Sequence, residues 1–261
     1  NAFFGLYQRI SSYFAGTELA SSGLPQGKEL EILDEVKADL PPEVFTTEYK
    51  NPVGGDNAKM RDNYRAALAL LKEAGWSLKG RQLVNDKTGE PFMIELIDES
   101  PITERFALPY AESLKRIGIE LSFRLVDSSA MTERQRKFDY DMIAHVWGQS
   151  LSPGNEQREF WSSTSADREG SQNYAGIKNP AIDKLVDKVI FAPDRETLVA
   201  ATHALDRALL WNHYVIPQWY SGVDRYVYWD RFGRPENLPE FSFGFPSIWW
   251  FDPAKAARIT K

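Results

Sequence analysis

"PFMIELIDESPITERFALPYAESLKRIGIELSFRLVDSSAMTERQRKFDYDMIAHVW", residues 91–147, is the stretch that decides the fold. Three apolar runs are separated by two helical patterns. The first run predicts a strand over 92–97, with Phe92, Ile94 and Leu96 on one side. A helix follows over 103–116, where Phe106, Tyr110, Leu114 and Ile117 share a face. The second run, 119–126, alternates Ile119, Leu121, Phe123 and Leu125 with Glu120, Ser122 and Arg124, which is the period of a strand. A short helix over 128–136 leads to a third strand over 140–147. The order β-α-β-α-β implies an α/β fold with parallel strands and right-handed crossovers.

Upstream, residues 3–14 predict a helix with Phe3, Leu6, Ile10 and Phe14 near one face. Residues 57–74 predict another, with Met60, Tyr64, Ala67, Leu68 and Leu71 on the helical period. Asp56 is placed to cap it, and Gly75 to supply a left-handed stop. "RQLVNDKTGEPFMIELI", from Arg81, reads as a hairpin turning at "NDKTG", with Gly89 free to take positive φ. Downstream, Asn179 and Pro180 open a helix striped by Ile182, Leu185, Val186, Val189 and Ile190. Asp194 caps a second, striped by Leu198, Ala201, Leu205 and Leu209. After Pro217 the chain is rich in aromatics and prolines, including Trp219, Tyr226, Trp229, Phe243, Trp249 and Trp250.

The 261 residues suit one large domain or two small ones, and 43 % apolar content supports a sizeable core. The net charge of −6, with scattered Lys and Arg, argues against nucleic acid as a partner. There is no cysteine, which excludes disulfides, thiolate metal sites and a thiol nucleophile. His145, His203 and His213 are the only histidines, and none is spaced as a zinc motif. We expect no metal and no cofactor. No run approaches the ~20 apolar residues of a membrane-spanning helix. The chain starts without Met inside an amphipathic pattern, so we read it as a piece of a longer protein whose signal peptide lies elsewhere; Asn1 and Ala2 are candidate cloning residues.

G-x-S-x-G, H-E-x-x-H and P-loop signatures are missing, so an enzyme is not the leading reading. In parallel sheets, ligands gather outside the carboxyl ends of the strands. Those ends deliver Asp98 and Glu99, Asp127 and Ser128, and finally Trp147, Gln149 and Ser150. Trp147 either walls a ligand or plugs the end of the core. Asp98, Glu99 and Asp127 read as loop or helix-cap residues, and His145 as a satisfied core or sheet-face histidine. Trp147, Gln149, Ser150, Asn155 and Tyr174 are expected on one side of the lobe, with Asn173 beside Tyr174 and with Glu156 as an available carboxylate.

The ordered set "YQRISSYFAGTELASSGLP" (7–25), "ALALLKEAGW" (67–76), "LVNDKTGEPF" (83–92), "FDYDMIAHVWGQSLSP" (138–153) and "NPAIDKLVDKVI" (179–190) resembles the family 5 extracellular solute-binding proteins of ABC importers. "NEQREFWSS", "SQNYAGIKNPAID", "ALDRALLWNHYVIPQWY" and "WWFDP" make it similar, within that family, to the Yej-type oligopeptide and microcin C binders. The resemblance implies a two-lobed, type II Venus-flytrap protein of the Gram-negative periplasm, acting as a monomer. It would capture oligopeptides or peptide conjugates and pass them to ABC permease subunits. Residues 1–215 would form its C-terminal lobe, and 216–261 a segment returning to an N-terminal lobe. Family oligopeptide binders follow the tryptophan with an aspartate for the peptide amino terminus; here Gly148, Gln149 and Ser150 follow Trp147. Two alternatives stay open. One is a receptor for a sugar-containing ligand such as a muropeptide, and the other is a stand-alone α/β enzyme or interaction module.

Overall fold

The computed structural model describes residues 5–259. The chain enters through a short strand, β1 (Tyr7–Arg9), and then passes through turns instead of the expected helix over 3–14. Phe3 and the candidate cloning residues Asn1 and Ala2 lie outside the described residues. A tertiary partner has overridden the local pattern. The buried Asp206 accepts from the Tyr13 amide at 2.7 Å, the Ser21 amide at 2.9 Å and the Ser21 hydroxyl at 2.6 Å. The Tyr13 amide, which a helix would have used, is thereby committed to a distant carboxylate.

Two short helices follow, α1 (Gly27–Asp34) and α2 (Glu43–Thr46), and then the long α3 (Asn57–Glu73). Asp56 caps α3 through the amides of Ala58 and Lys59, and Gly75 stops it at φ 85°. Strands β2 (Trp76–Lys79) and β3 (Gln82–Asn85) pair antiparallel. The "NDKTG" turn forms, with the Gly89 amide 2.9 Å from the Asn85 carbonyl. Its far arm meets β3 at the Val84–Pro91 bridge, flanked by the Asn85 amide on the Glu90 carbonyl and the Phe92 amide on the Leu83 carbonyl, each at 2.9 Å. The chain beyond is taken up by another sheet.

That sheet is the β-α-β-α-β alternation. It runs β4 (Met93–Asp98), α4 (Glu104–Lys115), β5 (Glu120–Leu125), α5 (Ser128–Arg136) and β6 (Met142–Ile143). The strand order is β5-β4-β6, and β4 is parallel to both neighbours. All three expected strands lie in one sheet, with the first two as parallel neighbours. The third is cut short. Expected over 140–147, it pairs only at Leu96 with Met142 and Ile97 with Ile143. β4 ends one residue later at Asp98, whose buried carboxylate turns to the Ser100 amide and the Thr103 hydroxyl. Residues after Ile143 therefore find no strand to pair with.

Helices α6 (Glu156–Trp161), α7 (Pro180–Ile190) and α8 (Arg195–Trp211) build a separate helical core. Asn179 accepts from the Ala181 amide to start α7, and Asp194 from the Thr197 amide to start α8. Ile182, Leu185, Val186 and Val189 pack against Ala201, Leu205 and Leu209, each at most 1 % exposed. Trp161, fully buried, joins this cluster. It links the helical core to the loop after β6.

The chain divides into two units, Asn1–Tyr220 and Ser221–Lys261, with the short β7 (Trp219–Ser221) at the boundary. The second unit holds β8 (Phe232–Gly233) antiparallel to β9 (Trp250–Phe251), and then α9 (Pro253–Ala256). Its centre is aromatic. Tyr226 stacks on Phe243 at 3.6 Å, and Trp249 packs against Phe243, Tyr228 and Phe245 at 4.6, 4.8 and 5.4 Å. Trp229, Trp250 and Phe251 remain more than half exposed.

Candidate ligand-binding site

Residues 144–155 run without regular structure from the end of β6 to the start of α6. This loop leaves the carboxyl end of a parallel strand, where side chains are free to face a ligand. Trp147 is half-buried in it. Its ring packs on Trp161 at 4.9 Å, and its indole N–H donates to the Gln172 carbonyl at 3.0 Å. Both ends of the residue are therefore held.

The opposing wall is the loop over 171–177. Asn173 is fully buried and spends its amide on the backbone. It donates to the Ser162 and Ile177 carbonyls at 3.0 Å each and accepts from the Ile177 amide at 2.8 Å. The Tyr140 hydroxyl donates to the Tyr174 carbonyl at 2.8 Å. Burial pushes Tyr140 up to about 12, so it remains a protonated donor at neutral pH. These bonds set the Tyr174 ring 4.4 Å from His145 and 6.2 Å from Trp147. His145 in turn meets the edge of Trp147 at 4.9 Å. Tyr174, His145 and Trp147 thus make one aromatic shelf. Desolvation there holds the His145 imidazole below its ordinary range.

A polar group adjoins this shelf. Gln157, fully buried on α6, accepts from the Trp161 indole at 2.8 Å. Its own N–H groups reach Gln149 Oε1 at 2.8 Å and Glu156 Oε1 at 3.2 Å. The Gly154 amide also donates to Glu156 Oε1, at 2.8 Å. Gln149 Nε2 is buried without a partner.

The structure therefore brings Trp147 and Tyr174 together, and Gln149 and Glu156 together. Asn173 supports the wall and offers no free amide group. Ser150 and Asn155 are exposed; the first accepts from the Ser152 amide at 3.2 Å and the second from Arg158 at 3.5 Å. His145 is a correction: it lies beyond β6, exposed on one side, and packs with the shelf instead of sitting in the sheet. Sequence reading also passed over Gln157 and Trp161. Their spacing of four on one helix face was the available signal. Asp98 serves the Ser100 amide and the Thr103 hydroxyl, and Asp127 caps α5 at the Ala130 amide.

An open depression elsewhere, lined by Glu18, Lys28, Glu29, Arg195 and His203, has its charges already paired. Arg195 bonds Glu18, Lys28 lies 4.0 Å from Glu196, and Glu29 holds Arg207 at 2.7 Å. Among the described residues, no group of His, Asp and Glu is arranged to hold a metal ion. The shelf, with Gln149 and Glu156 beside it, therefore forms the stronger candidate. Aromatic faces suit flat groups, and amides suit carbonyl oxygens.

The chain belongs to the bacterial extracellular solute-binding proteins of family 5, whose middle-region model matches residues 30–169. It is 58 % identical over 248 residues to the uncharacterized protein y4wM of Sinorhizobium fredii, covering 95 % of this chain and 37 % of that protein. It is 57 % identical over 247 residues to the probable peptide-binding protein YejA of Agrobacterium fabrum, covering 95 % of this chain and 40 % of that one. The chain thus spans about two-fifths of the length of these relatives. In fold it is similar to the oligopeptide-binding protein AppA of Bacillus subtilis in complex with a nonapeptide. The TM-score is 0.57 and the identity 22 %, over 86 % of this chain and 45 % of that one. The family and the fold are those of binding proteins.

Proposed function

We propose that this chain is the C-terminal lobe of the periplasmic receptor of an ABC importer. The receptor takes oligopeptides or peptide conjugates and delivers them to permease subunits in the inner membrane. It works as a monomer, with residues 216–261 returning toward an N-terminal lobe. The observation that carries the reading is the shelf of Tyr174, His145 and Trp147 directly after the last parallel strand, with the Gln149–Glu156 pair beside it. Aromatic faces accept varied side chains, and amide groups accept the peptide backbone common to all of them. Family membership and a relative of 57 % identity named as a probable peptide-binding protein point the same way. The ligand-binding residues in this reading are Trp147, Gln149, Glu156 and Tyr174, with Ser150 and Asn155 at the rim and Asn173 as support.

Native mass spectrometry of the full-length protein with a random pentapeptide pool tests it. Retained peptides with one copy per protein are expected. A protein that retains none, or that retains only muropeptides offered in the same pool, would rule out an oligopeptide receptor.

A further inference from the structure

We propose that His145 is a ligand-contacting residue that serves in its uncharged form, so that the shelf selects flat, uncharged groups against anionic ones. This rests on the reading of the loop after β6 as the binding site. The Trp147 indole N–H is spent on the Gln172 carbonyl at 3.0 Å, so Trp147 offers a ligand only its ring. His145 is placed differently. It is exposed, and among the described residues no hydrogen bond engages its imidazole. Its neighbours are rings, Trp147 at 4.9 Å and Tyr174 at 4.4 Å. Tyr174, from the loop over 171–177, is the titratable group that faces it. Burial raises the Tyr174 hydroxyl above its ordinary value, so that group stays neutral. Among the described residues, the histidine within ion-pair reach of a carboxylate is His203, 3.9 Å from Glu29. His145 has no such partner.

An imidazolium at this place is a charge without a countercharge. Water solvates it while the shelf is open. A ligand lying on the shelf strips that water, and a charge buried without a partner is costly. A neutral imidazole escapes that cost and brings one donor and one acceptor, which suits a peptide plane. The covered ring therefore holds its proton less tightly than the open one. By linkage, binding is strongest above the open ring's pKa and weakens as pH falls through it. A carboxylate laid on the ring would reverse the sign. Such a group is brought toward Glu156, which Gln157 joins to Gln149 on the same loop, in a chain of net charge −6.

Calorimetry of the full-length protein with a pool of pentapeptides lacking Asp, Glu and His tests this, because such peptides keep one charge state from pH 5 to pH 7. Wild type should bind about fivefold more weakly at pH 5 than at pH 7. At pH 6 it should release protons on binding, read as a heat that changes with the ionisation enthalpy of the buffer. His145→Phe keeps a flat ring that cannot be charged, and should show neither effect. Should that variant fail to fold, His145→Gln is also uncharged and should likewise show neither. An affinity that is constant with pH, a proton taken up instead of released, or a pH dependence that persists in the uncharged variant would each overturn the proposal and leave the receptor reading standing. A wild-type protein that binds no peptide at pH 7 overturns the receptor reading instead, and this role with it.

Discussion

Asp206 illustrates what one residue does here. It is fully buried on α8, and both of its oxygens accept hydrogen bonds from the segment over 13–21. Its neighbour Arg207, 1 % exposed, holds Glu29 at 2.7 Å and the Ser22 and Gly23 carbonyls at 3.0 and 2.8 Å. Two adjacent side chains thus fasten some twenty residues of irregular chain to the helical core. Asp206→Ala leaves two amides and a hydroxyl without an acceptor, and should cost about 3 kcal/mol in urea unfolding. His145 makes a pH prediction. Desolvation by its surroundings on the shelf lowers its pKa, so the folded state resists its protonation. The stability it contributes is present above the ordinary histidine value of about 6.5 and is lost as pH falls through the lowered one. Unfolding midpoints taken from pH 7 down to pH 5 should fall more for wild type than for His145→Phe, and parallel curves would refute the point.

At the scale of elements, the joints matter more than the elements. Gly118, between α4 and β5, sits at φ 84° with its carbonyl accepting from the Leu83 amide at 2.8 Å. A Cβ there would come within 2.6 Å of the Leu83 nitrogen. Backbone cannot yield as a side-chain tip can, so Gly118→Ala meets both a strained φ and a clash. We expect a loss of about 2–3 kcal/mol, read from the urea midpoint. The cap of α7 is a gentler joint. Asn179 Oδ1 accepts from the Ala181 amide at 2.9 Å, and Asn179→Ala should cost about 1 kcal/mol by thermal unfolding.

For the whole molecule, the proposed receptor encloses its ligand between two lobes, and this chain would supply one of them. A half-site stays open to water, so its hydrogen bonds compete with solvent and gain nothing from closure. The chain alone should therefore bind the pentapeptide pool at least a hundredfold more weakly than the full-length protein, a difference of about 2.7 kcal/mol. Side-by-side calorimetry decides it. Equal affinities would mean that this chain carries a complete site, and the module reading would then replace the half-receptor.

Local sequence carried the β-α-β-α-β alternation and the stripes of α7 and α8 by periodicity, and the caps at Asp56, Asn179 and Asp194 by residue type, because each depends on residues within a few positions of one another. The family followed from the order of its motifs. Of the candidate site, Trp147, Gln149 and Glu156 were legible as residues following the last strand, and Tyr174 as an aromatic ahead of the capped helix. Three things were decided only in three dimensions. In place of the helix expected over 3–14, Tyr7–Arg9 form a strand and the Tyr13 amide is held by Asp206, nearly two hundred residues on. The third strand stopped at Ile143 because its partner β4 ended at Asp98. The Gln149 amide took its orientation because Trp161 fixed Gln157 and Gln157 fixed Gln149. Local pattern determines how a segment would lie when its neighbours are indifferent. A buried polar group with one permitted partner overrides that preference, because leaving it unpaired costs more than the preference is worth.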